Sequence, residues 1–338
     1  MRDLDIEQPA ALESYLREAG RLDPREPFRM EVLHGGVSNR TVLVRKAGGE
    51  EWVLKQALAK LRVGVDWLSS PERVHREALG LRWLGDLAPP GAIPRFVFED
   101  HEHHLLAMAA VPLPHANWKT VLLAGGLTTA HVEECGRLLA TIHLQAWRRR
   151  REVEPAFADT RFFESLRLEP YYCYAADQVP AAAAFLRALV EQTRLRRITL
   201  VHGDFSPKNL LLRHDRLILL DHEVIHWGDP AFDLGFSLAH LLSKAHHLRE
   251  QREAFSVAAG RYWEVYAHGI TEAPWRESLE SRAVEHALGC LMARVAGRSL
   301  LEYLSAPERS SQQAAVLKLI LTLPATVPEL ARRFISCL

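Results

Sequence analysis

The chain has 338 residues, enough for two regions that each bury a core. It carries 42 basic and 42 acidic residues, and this balance argues against nucleic acid or an anionic membrane as a partner. Hydrophobic residues make up 48% of the chain, as in an ordinary globular protein. The four cysteines are widely spaced, which predicts free thiols in a reducing compartment. Because no apolar run is long enough for a signal peptide or a bilayer span, we expect a soluble cytoplasmic protein.

The first hundred residues predict one helix followed by short strands. Residues 6–19 have helical apolar spacing and stop at Gly20. Apolar and β-branched runs predict strands at residues 28–33, 41–44, 52–56, 95–99 and 104–109. The last two of these strands are joined by a histidine-rich turn that invites a zinc interpretation. Adjacent residues on a tight turn point apart, so we expect a polar hairpin tip instead.

The remainder of the chain predicts mainly helices. A helix is expected at residues 71–85, where Pro71 suits the first turn. Composition turns helical after residue 112, so we place a boundary between an N-terminal domain, residues 1–112, and a C-terminal domain, residues 113–338. Asp233 starts the last helical part and is expected either to cap the following helix or to tie down the loop before it.

Residues 200–235 hold the strongest functional pattern, LVHGDFSPKNLLLRHDRLILLDHEVIHWGDPAFDLG. A hydroxyl that attacks the terminal phosphate of ATP must give up its proton, and Asp204 is the candidate to accept it. Asn209 and Asp221 offer oxygen ligands of the kind that suit Mg²⁺. Glu223 would point to the same face as Asp221 in an extended backbone, which makes it a candidate second carboxylate. Such polar residues can simply cap turns, but here several constraints are met in order.

This segment resembles the aminoglycoside phosphotransferase and choline kinase superfamily. Protein kinases carry HRDxKxxN and DFG, whereas this chain has Ser206 at the lysine position and DHE as its metal segment. The DxE form is most similar to choline and methylthioribose kinases. The resemblance implies an α+β, two-lobed protein-kinase-like fold with a small β-rich N-lobe and a large, mainly helical C-lobe. It also implies ATP and Mg²⁺ as cofactors and a small-molecule hydroxyl as acceptor.

The resemblance further assigns nucleotide-binding roles to the N-terminal domain. Lys55 would contact the α and β phosphates and pair with Glu77, with Glu72 as the alternative partner. Backbone groups near Met108 and Ala110 would bond the adenine edge. The turn between the first two strands would cover the phosphates, with ordinary turn formation as the alternative. Its candidate residues are Gly35, Gly36, Ser38 and Asn39.

The resemblance also implies an acceptor pocket at residues 162–177, with His226 and Trp227 nearby. Aromatic packing is the alternative for its candidate lining residues, Tyr171, Tyr172, Tyr174, Glu164, Glu169 and Asp177. Residues 240–338 show no acidic surplus, which disfavours a polycationic aminoglycoside. We therefore expect a sugar-like or amino-alcohol metabolite, with an aminoglycoside as the alternative acceptor. A catalytically silent nucleotide-binding or scaffold protein of the same fold is the alternative function.

Overall fold

The structure is a computed structural model that describes residues 4–34, 36, 38–62 and 67–338. The chain divides into two units, Met1–Asp86 with Ile93–Leu113 and Leu87–Ala92 with Pro114–Leu338. In the second unit, the Leu219 N–H donates to the carbonyl oxygen of Ala92 (2.8 Å), which ties the short segment to the main body. Over the described ranges, no helix combines the length and apolar character that a bilayer span requires.

The first unit is built on a five-stranded antiparallel sheet in the order β1-β2-β3-β5-β4. Its elements are α1 Pro9–Glu18, β1 Phe28–Val32, β2 Asn39–Lys46, β3 Glu51–Ala57, α2 Arg73–Leu87, β4 Phe96–Asp100 and β5 Leu105–Ala109. Alternate residues of a strand face one side, so Val42, Val44 and Leu54 are buried together against Leu12 and Leu16 of α1. Each helix and strand predicted for this part of the sequence is present, with ends moved by a few residues.

The strands of the second unit are short and position the functional segment. They are β6 Ala116–Asn117, β7 Thr199–Val201, β8 Leu210–Arg213, β9 Arg216–Leu219 and β10 His226–Gly228. β8 and β9 form a hairpin beside β6, and β7 pairs antiparallel with β10. His214 and Asp215 form the hairpin turn with φ of 46° and 57°, the left-handed backbone that suits a tight turn between twisted strands. This hairpin ends directly before Leu220 and Asp221.

Helices make up most of the second unit. They are α3 Trp118–Leu123, α4 Thr129–Arg148, α5 Arg150–Phe157, α6 Arg161–Phe163, α7 Tyr174–Gln178, α8 Ala183–Leu195, α9 Ala231–His247, α10 Arg252–Gly269, α11 Leu279–Ala296, α12 Ala306–Leu321 and α13 Val327–Ser336. A π-helix, Glu164–Cys173, connects α6 to α7, and a 3₁₀ turn, Pro207–Asn209, precedes β8.

Helix α9 lies at the centre of this unit, between α10 and α11. Every residue from Ala231 to His246 is buried, as expected for a helix that is covered on all sides. The buried set nevertheless includes a carboxylate, Asp233, and an amine, Lys244. Buried charges are costly unless they are paired, so both side chains need an explanation.

Candidate active site

The loop that follows β7 is anchored by a carboxylate in the first turn of α9. Asp233 accepts hydrogen bonds from the backbone N–H groups of His202 (2.7 Å) and Gly203 (2.8 Å). His143 Nε2 lies 3.3 Å from the same carboxylate, and its Nδ1 lies 2.8 Å from the hydroxyl of Tyr266. Burial alone would raise the pKa of Asp233, but these donors outweigh it and the pKa is lowered. Asp233 was predicted either to cap the helix or to hold the preceding loop, and the structure shows that it holds the loop.

His202 connects the loop to the segment that carries the metal-ligand candidates. The Asp204 N–H donates to Nδ1 of His202 (3.2 Å), which places the ring proton on Nε2. Nε2 then faces the carbonyl oxygen of Leu220 (3.2 Å) and Nδ1 of His222 (3.1 Å). Burial lowers the pKa of His202, so the ring is neutral near pH 7. His202 therefore acts as a hydrogen-bonded brace of the loop.

The Asp204 carboxylate contacts two cations. Its Oδ2 lies 2.7 Å from Nη2 of Arg167 and 3.0 Å from Nζ of Lys208. The side chain is only 2% exposed, and burial alone would raise the pKa of Asp204. Arg167 and Lys208 outweigh that effect and lower the pKa. Asp204 is therefore held in the ionised form that accepts a proton.

Arg167 and Lys208 were not among the candidates from sequence. Arg167 lies in the π-helix, where its Nε donates to the carbonyl oxygen of Gly203 (2.9 Å) and its Nη1 to that of Leu166 (2.7 Å). π-helical turns are rare and are frequent at functional sites. Lys208 could have been found, because it stands four residues after Asp204 in the same loop. Nothing in the sequence around Arg167 distinguishes it from other arginines.

The metal-ligand candidates lie on both sides of the β8–β9 hairpin. Asn209 Nδ2 donates to the carbonyl oxygen of Asp204 (3.0 Å), so Oδ1 is the atom of Asn209 that suits a cation. Asp221 has φ of 68°, a left-handed backbone that is uncommon outside glycine. Asp221 raises the pKa of Asp204, and Asp221 and Glu223 both raise that of Arg167, so these carboxylates share one electrostatic environment with the loop. Amide and carboxylate oxygens fit Mg²⁺.

The reason given from sequence for including Glu223 is wrong. An extended backbone would have put Glu223 and Asp221 on one face, but the chain leaves β9, takes a left-handed step at Asp221 and turns at Glu223. Strand alternation does not apply to such a segment. Glu223 is 6% exposed, and its role as a metal ligand stays a prediction.

The nucleotide-binding candidates lie in the first unit. Lys55 Nζ on β3 lies 2.7 Å from Oε1 of Glu77 on α2, the pairing predicted from the resemblance. At the start of β2, the side-chain Nδ2 of Asn39 donates to the hydroxyl of Ser38 (3.2 Å). Gly36 is exposed. The remaining turn candidate, Gly35, lies outside the described residues.

The adenine-contact candidates lie at the end of β5. Met108 is paired with Val53 of β3 and Phe96 of β4, so its backbone belongs to the sheet on both sides. The Ala110 N–H donates to the carbonyl oxygen of Glu51 (2.9 Å). The N–H of Ala110 is therefore already used, and the predicted adenine contact from Ala110 is restricted to its carbonyl oxygen.

The candidates for the acceptor pocket are divided between core and surface. Tyr172 is fully buried, with its hydroxyl 2.9 Å from Nδ1 of His286, so the alternative of aromatic packing applies to it. A cavity of about 140 Å³ borders Glu164, His226 and Trp227. Their role towards an acceptor stays a prediction.

The histidine-rich turn between β4 and β5 meets a histidine of α2. One ligand atom each from His75, Glu99 and His101 lie within 4.8 Å of one another. The two imidazole rings are stacked 3.9 Å apart at 9°, so their in-plane lone pairs run side by side rather than converge. Glu99 also contacts Arg82 (2.5 Å). The structure therefore gives this cluster the geometry of stacking and ion pairing.

Three comparisons with known proteins bear on this site. The model of a family described as the phosphotransferase enzyme family matches residues 29–269, more than half of the chain. No curated protein matches the sequence significantly. Solved structures match over most of their length and of this chain.

One similar structure is a macrolide 2′-phosphotransferase from Brachybacterium faecium, with 20% identity, a TM-score of 0.52 and coverage of 93% of this chain and 98% of that one. A putative fructosamine-3-kinase from Thermobifida fusca has 20% identity, a TM-score of 0.52 and coverage of 91% and 97%. An amicoumacin kinase solved with AMP-PNP and Ca²⁺ has 14% identity, a TM-score of 0.56 and coverage of 93% and 94%. At these identities the likeness shows the fold, and the kinase-like fold expected from the sequence is confirmed.

Proposed function

Because this chain belongs to the phosphotransferase enzyme family, we propose that it transfers the γ-phosphate of ATP to a hydroxyl of a small molecule, a sugar-like or amino-alcohol metabolite. Asp204 accepts the hydroxyl proton as the oxygen attacks phosphorus. Lys55, held by Glu77, contacts the nucleotide phosphates, and the turn with Gly36, Ser38 and Asn39 covers them.

The observation that carries this proposal is the environment of Asp204. Oδ2 of this buried carboxylate lies 2.7 Å from Nη2 of Arg167 and 3.0 Å from Nζ of Lys208, and the two cations hold it in the ionised form. The loop around it is fixed by backbone bonds to Asp233. A fixed, ionised acceptor of this kind supports the role of catalytic base, because positioning accounts for much of phosphoryl-transfer catalysis.

Asn209 and Asp221, and also Glu223, would hold Mg²⁺. The fit rests on their chemistry, since the amide nitrogen of Asn209 is bonded to the loop and its oxygen is the atom suited to a cation. When bound, the ion neutralises charge on the nucleotide phosphates. The backbone step at Asp221, with φ of 68°, supports a functional role because such conformations cluster at active sites.

The decisive experiment substitutes the proposed base. Asp204→Asn should lower ADP formation with a panel of sugars and amino alcohols by about 10²–10⁴-fold. It should leave the rise in melting temperature with Mg·ATP in place, whereas Asp221→Asn should remove the Mg²⁺-dependent part of that rise. Asp215→Asn, at the exposed turn of the β8–β9 hairpin, is the matched control and should change neither quantity. Normal turnover in Asp204→Asn contradicts the proposal.

The same assay, extended to aminoglycosides, separates the alternatives. An aminoglycoside acceptor predicts ADP formation with aminoglycosides above that with sugars and amino alcohols. A catalytically silent nucleotide-binding protein predicts an Mg·ATP-dependent rise in melting temperature with no ADP formed from any alcohol.

A further inference from the structure

Two cations of the second unit are buried without an acidic partner. Lys244 is 0% exposed and Arg294 is 6% exposed. Within the part of the chain that the structure describes, no carboxylate oxygen lies within 4.0 Å of either side chain. Lys244 Nζ has only the carbonyl oxygen of His240 at 3.4 Å, a weak contact. Buried charges are normally paired, so the fold leaves a cost here that something else must offset.

Other buried arginines of this unit are paired. Arg282 lies on the same helix as Arg294, and its Nε and Nη2 contact the two oxygens of Asp229 at 2.9 Å and 3.3 Å. Arg167 contacts Asp204. The isolation of Lys244 and Arg294 is therefore a local property and does not reflect a general shortage of acids in this fold.

Hydrogen bonds and aromatic rings compensate the two charges in part. Nη1 of Arg294 donates to the carbonyl oxygen of Ser299 (2.7 Å), to its hydroxyl (2.9 Å) and to the hydroxyl of Tyr171 (2.9 Å). Lys244 Nζ lies 5.3 Å from the ring centre of Tyr303, and the guanidinium of Arg294 lies 5.5 Å from that of Tyr171 and 5.9 Å from that of Phe236. Each such contact gives less than a buried ion pair. The carboxyl end of α9 also favours the ammonium of Lys244, but that effect does not extend to Arg294 on another helix.

Polar atoms without partners surround the same cations. Nε of Arg294, Nε2 of His240 and the hydroxyl of Tyr303 are buried, and none of them has a hydrogen-bond partner among the residues that the structure describes. His240 and Lys244 are one turn apart on α9, and the rings of His240 and Phe236 are 5.1 Å apart. Phe236 is also the ring beneath Arg294. These donors therefore belong to one neighbourhood, and an oxyanion is the ligand that would satisfy them.

This neighbourhood adjoins the proposed catalytic base. Tyr171 lies under the guanidinium of Arg294 and also 5.7 Å from that of Arg167, which contacts Asp204. On the other side, Asn117 donates to the carbonyl oxygen of Lys208 (2.7 Å) in the catalytic loop.

Lys119 lies in the first turn of α3, two residues after Asn117, and it affects the pKa values of both Lys244 and His240. Burial, Lys119 and Arg294 lower the pKa of Lys244 to about 7, while Glu302 opposes this shift. Burial, Arg294 and Lys244 lower that of His240, with smaller effects from Lys208 and Lys119. Glu302, the acid that opposes the shift of Lys244, already pairs with Lys119. Lys244 is therefore partly deprotonated near pH 7 in the absence of ligand, and a bound anion would favour its charged form.

We propose that the acceptor is an alcohol that also carries an oxyanion, a carboxylate or a phosphate, and that Lys244 and Arg294 bind this group while the hydroxyl reaches Asp204. The inference rests on the proposed function. In the transfer, the acceptor oxygen bonds to the γ-phosphorus, the bond from that phosphorus to the bridging oxygen breaks, ADP leaves, and the hydroxyl proton passes to Asp204. A polycation or a choline-like alcohol is not complementary to these two side chains.

Binding of simple anions tests the site without knowledge of the acceptor. Inorganic phosphate or acetate, titrated up to millimolar concentrations, should raise the melting temperature of the wild-type protein. The rise should disappear in Lys244→Met and in Arg294→Gln, and should persist in Lys318→Met, which removes an exposed lysine of α12 by the same substitution. The larger of the two responses tells a phosphate site from a carboxylate site. No rise, or an equal rise in Lys244→Met, overturns the proposal.

Stability without ligand gives an independent readout. Lys244→Met removes an unpaired buried charge at similar volume, so in the absence of anions the variant should melt at or above the wild-type temperature. A clear fall would mean that the ammonium is stabilised within the fold, which contradicts the inference. If Lys244→Met does not yield folded protein, Arg294→Gln provides the same comparison.

Acceptor assays distinguish failure of the inference from failure of the proposed function. Glycerate and glycerol 3-phosphate should give more ADP than glycerol or choline, and kcat/KM for the preferred anionic alcohol should fall about 10- to 100-fold in Arg294→Gln. ADP formed equally from glycerol or choline, unchanged in both variants, overturns the inference alone. If no Mg·ATP binds and no ADP forms, but phosphate binding still depends on Lys244 and Arg294, the proposed function fails and the anion site remains.

Discussion

The two ends of helix α9 treat buried charge in opposite ways. At the amino end, Asp233 accepts hydrogen bonds from two backbone N–H groups of the loop after β7, those of His202 and Gly203, and also contacts the ring of His143. At the carboxyl end, Lys244 meets one distant carbonyl oxygen and an aromatic ring. The first charge is compensated inside the fold and stabilises the loop. The second has no carboxylate partner among the described residues, and it is the charge that we propose binds the anionic group of the acceptor.

Helix α11 repeats the contrast with two arginines. Arg282 pairs with Asp229 through two nitrogens, whereas Arg294 donates to Ser299 and to the hydroxyl of Tyr171 and leaves Nε without a partner. Both side chains are 6% exposed, so burial does not explain the difference. What differs is the presence of a carboxylate, and the predictions below use that difference.

The largest expected effect is at Asp233. The two oxygens of Asp233 each accept one backbone N–H, whereas the amide of Asp233→Asn has only one acceptor oxygen. The substitution should lower the free energy of unfolding by about 3–5 kcal/mol. Urea denaturation measures this change. If Asp233→Asn is as stable as the wild type, the compensated end of α9 does not stabilise the fold and the comparison fails.

The second prediction compares the two arginines of α11. Arg282→Met leaves the buried carboxylate of Asp229 without its main partner and should cost about 3 kcal/mol. Arg294→Met removes a charge that has no carboxylate partner among the described residues, so its cost should be well below that value. The two variants are compared by urea denaturation in a buffer without phosphate or carboxylate. Equal costs would remove the distinction between the two sites.

The third prediction concerns the cation on the proposed base. Arg167→Met removes the closest charge partner of Asp204 and should reduce kcat/KM by about 10- to 100-fold, or about 1.5–3 kcal/mol. Arg167→Lys keeps a charge but not the bond to Gly203, and should recover part of the loss. Steady-state ADP formation measures both. An unchanged kcat/KM in Arg167→Met would assign Arg167 a purely structural role.

The smallest expected effect is at Glu308, a carboxylate near the surface that accepts hydrogen bonds from Ser305. Partial burial would raise the pKa of Glu308, but hydrogen bonds from Ser305 and the neighbouring His247 lower it to about 2. Because the pKa of Glu308 is lower in the folded than in the unfolded protein, the ionised carboxylate stabilises the fold above about pH 4.5. This contribution to stability is lost as the pH falls towards 2. Glu308→Gln should therefore cost about 1 kcal/mol at pH 7. The difference in melting temperature should shrink between pH 5 and pH 3, roughly across the titration range, and a constant difference would contradict this account.

The site divides into residues that sequence could find and residues that it could not. Asp204, Asn209 and Asp221 lie within one short segment, and the spacing of their side chains is a property of a loop and a hairpin. Lys55 and Glu77 followed from resemblance, and their contact is present. The argument for Glu223 failed because it assumed an extended backbone where the chain turns.

Contacts across long separations were beyond reach. Arg167 meets Gly203 across 36 residues, and Arg294 meets Tyr171 across 123. A single arginine in a helix has the same local sequence pattern whether its side chain ends in solvent or beside a buried carboxylate. Only helix packing decides which side chains share a neighbourhood.

The sequence by itself determined the order of strands and helices in the first unit, the family resemblance and the segment that holds the candidate site residues, because apolar periodicity and short-range spacing are local properties of the chain. The tertiary structure decided which buried charges are compensated. Asp233 and Lys244 stand eleven positions apart on one helix, yet one is met by a loop from β7 and the other by no carboxylate among the described residues. The free energy of a buried charge depends on neighbours that distant segments supply, and those neighbours exist only once the helices have packed.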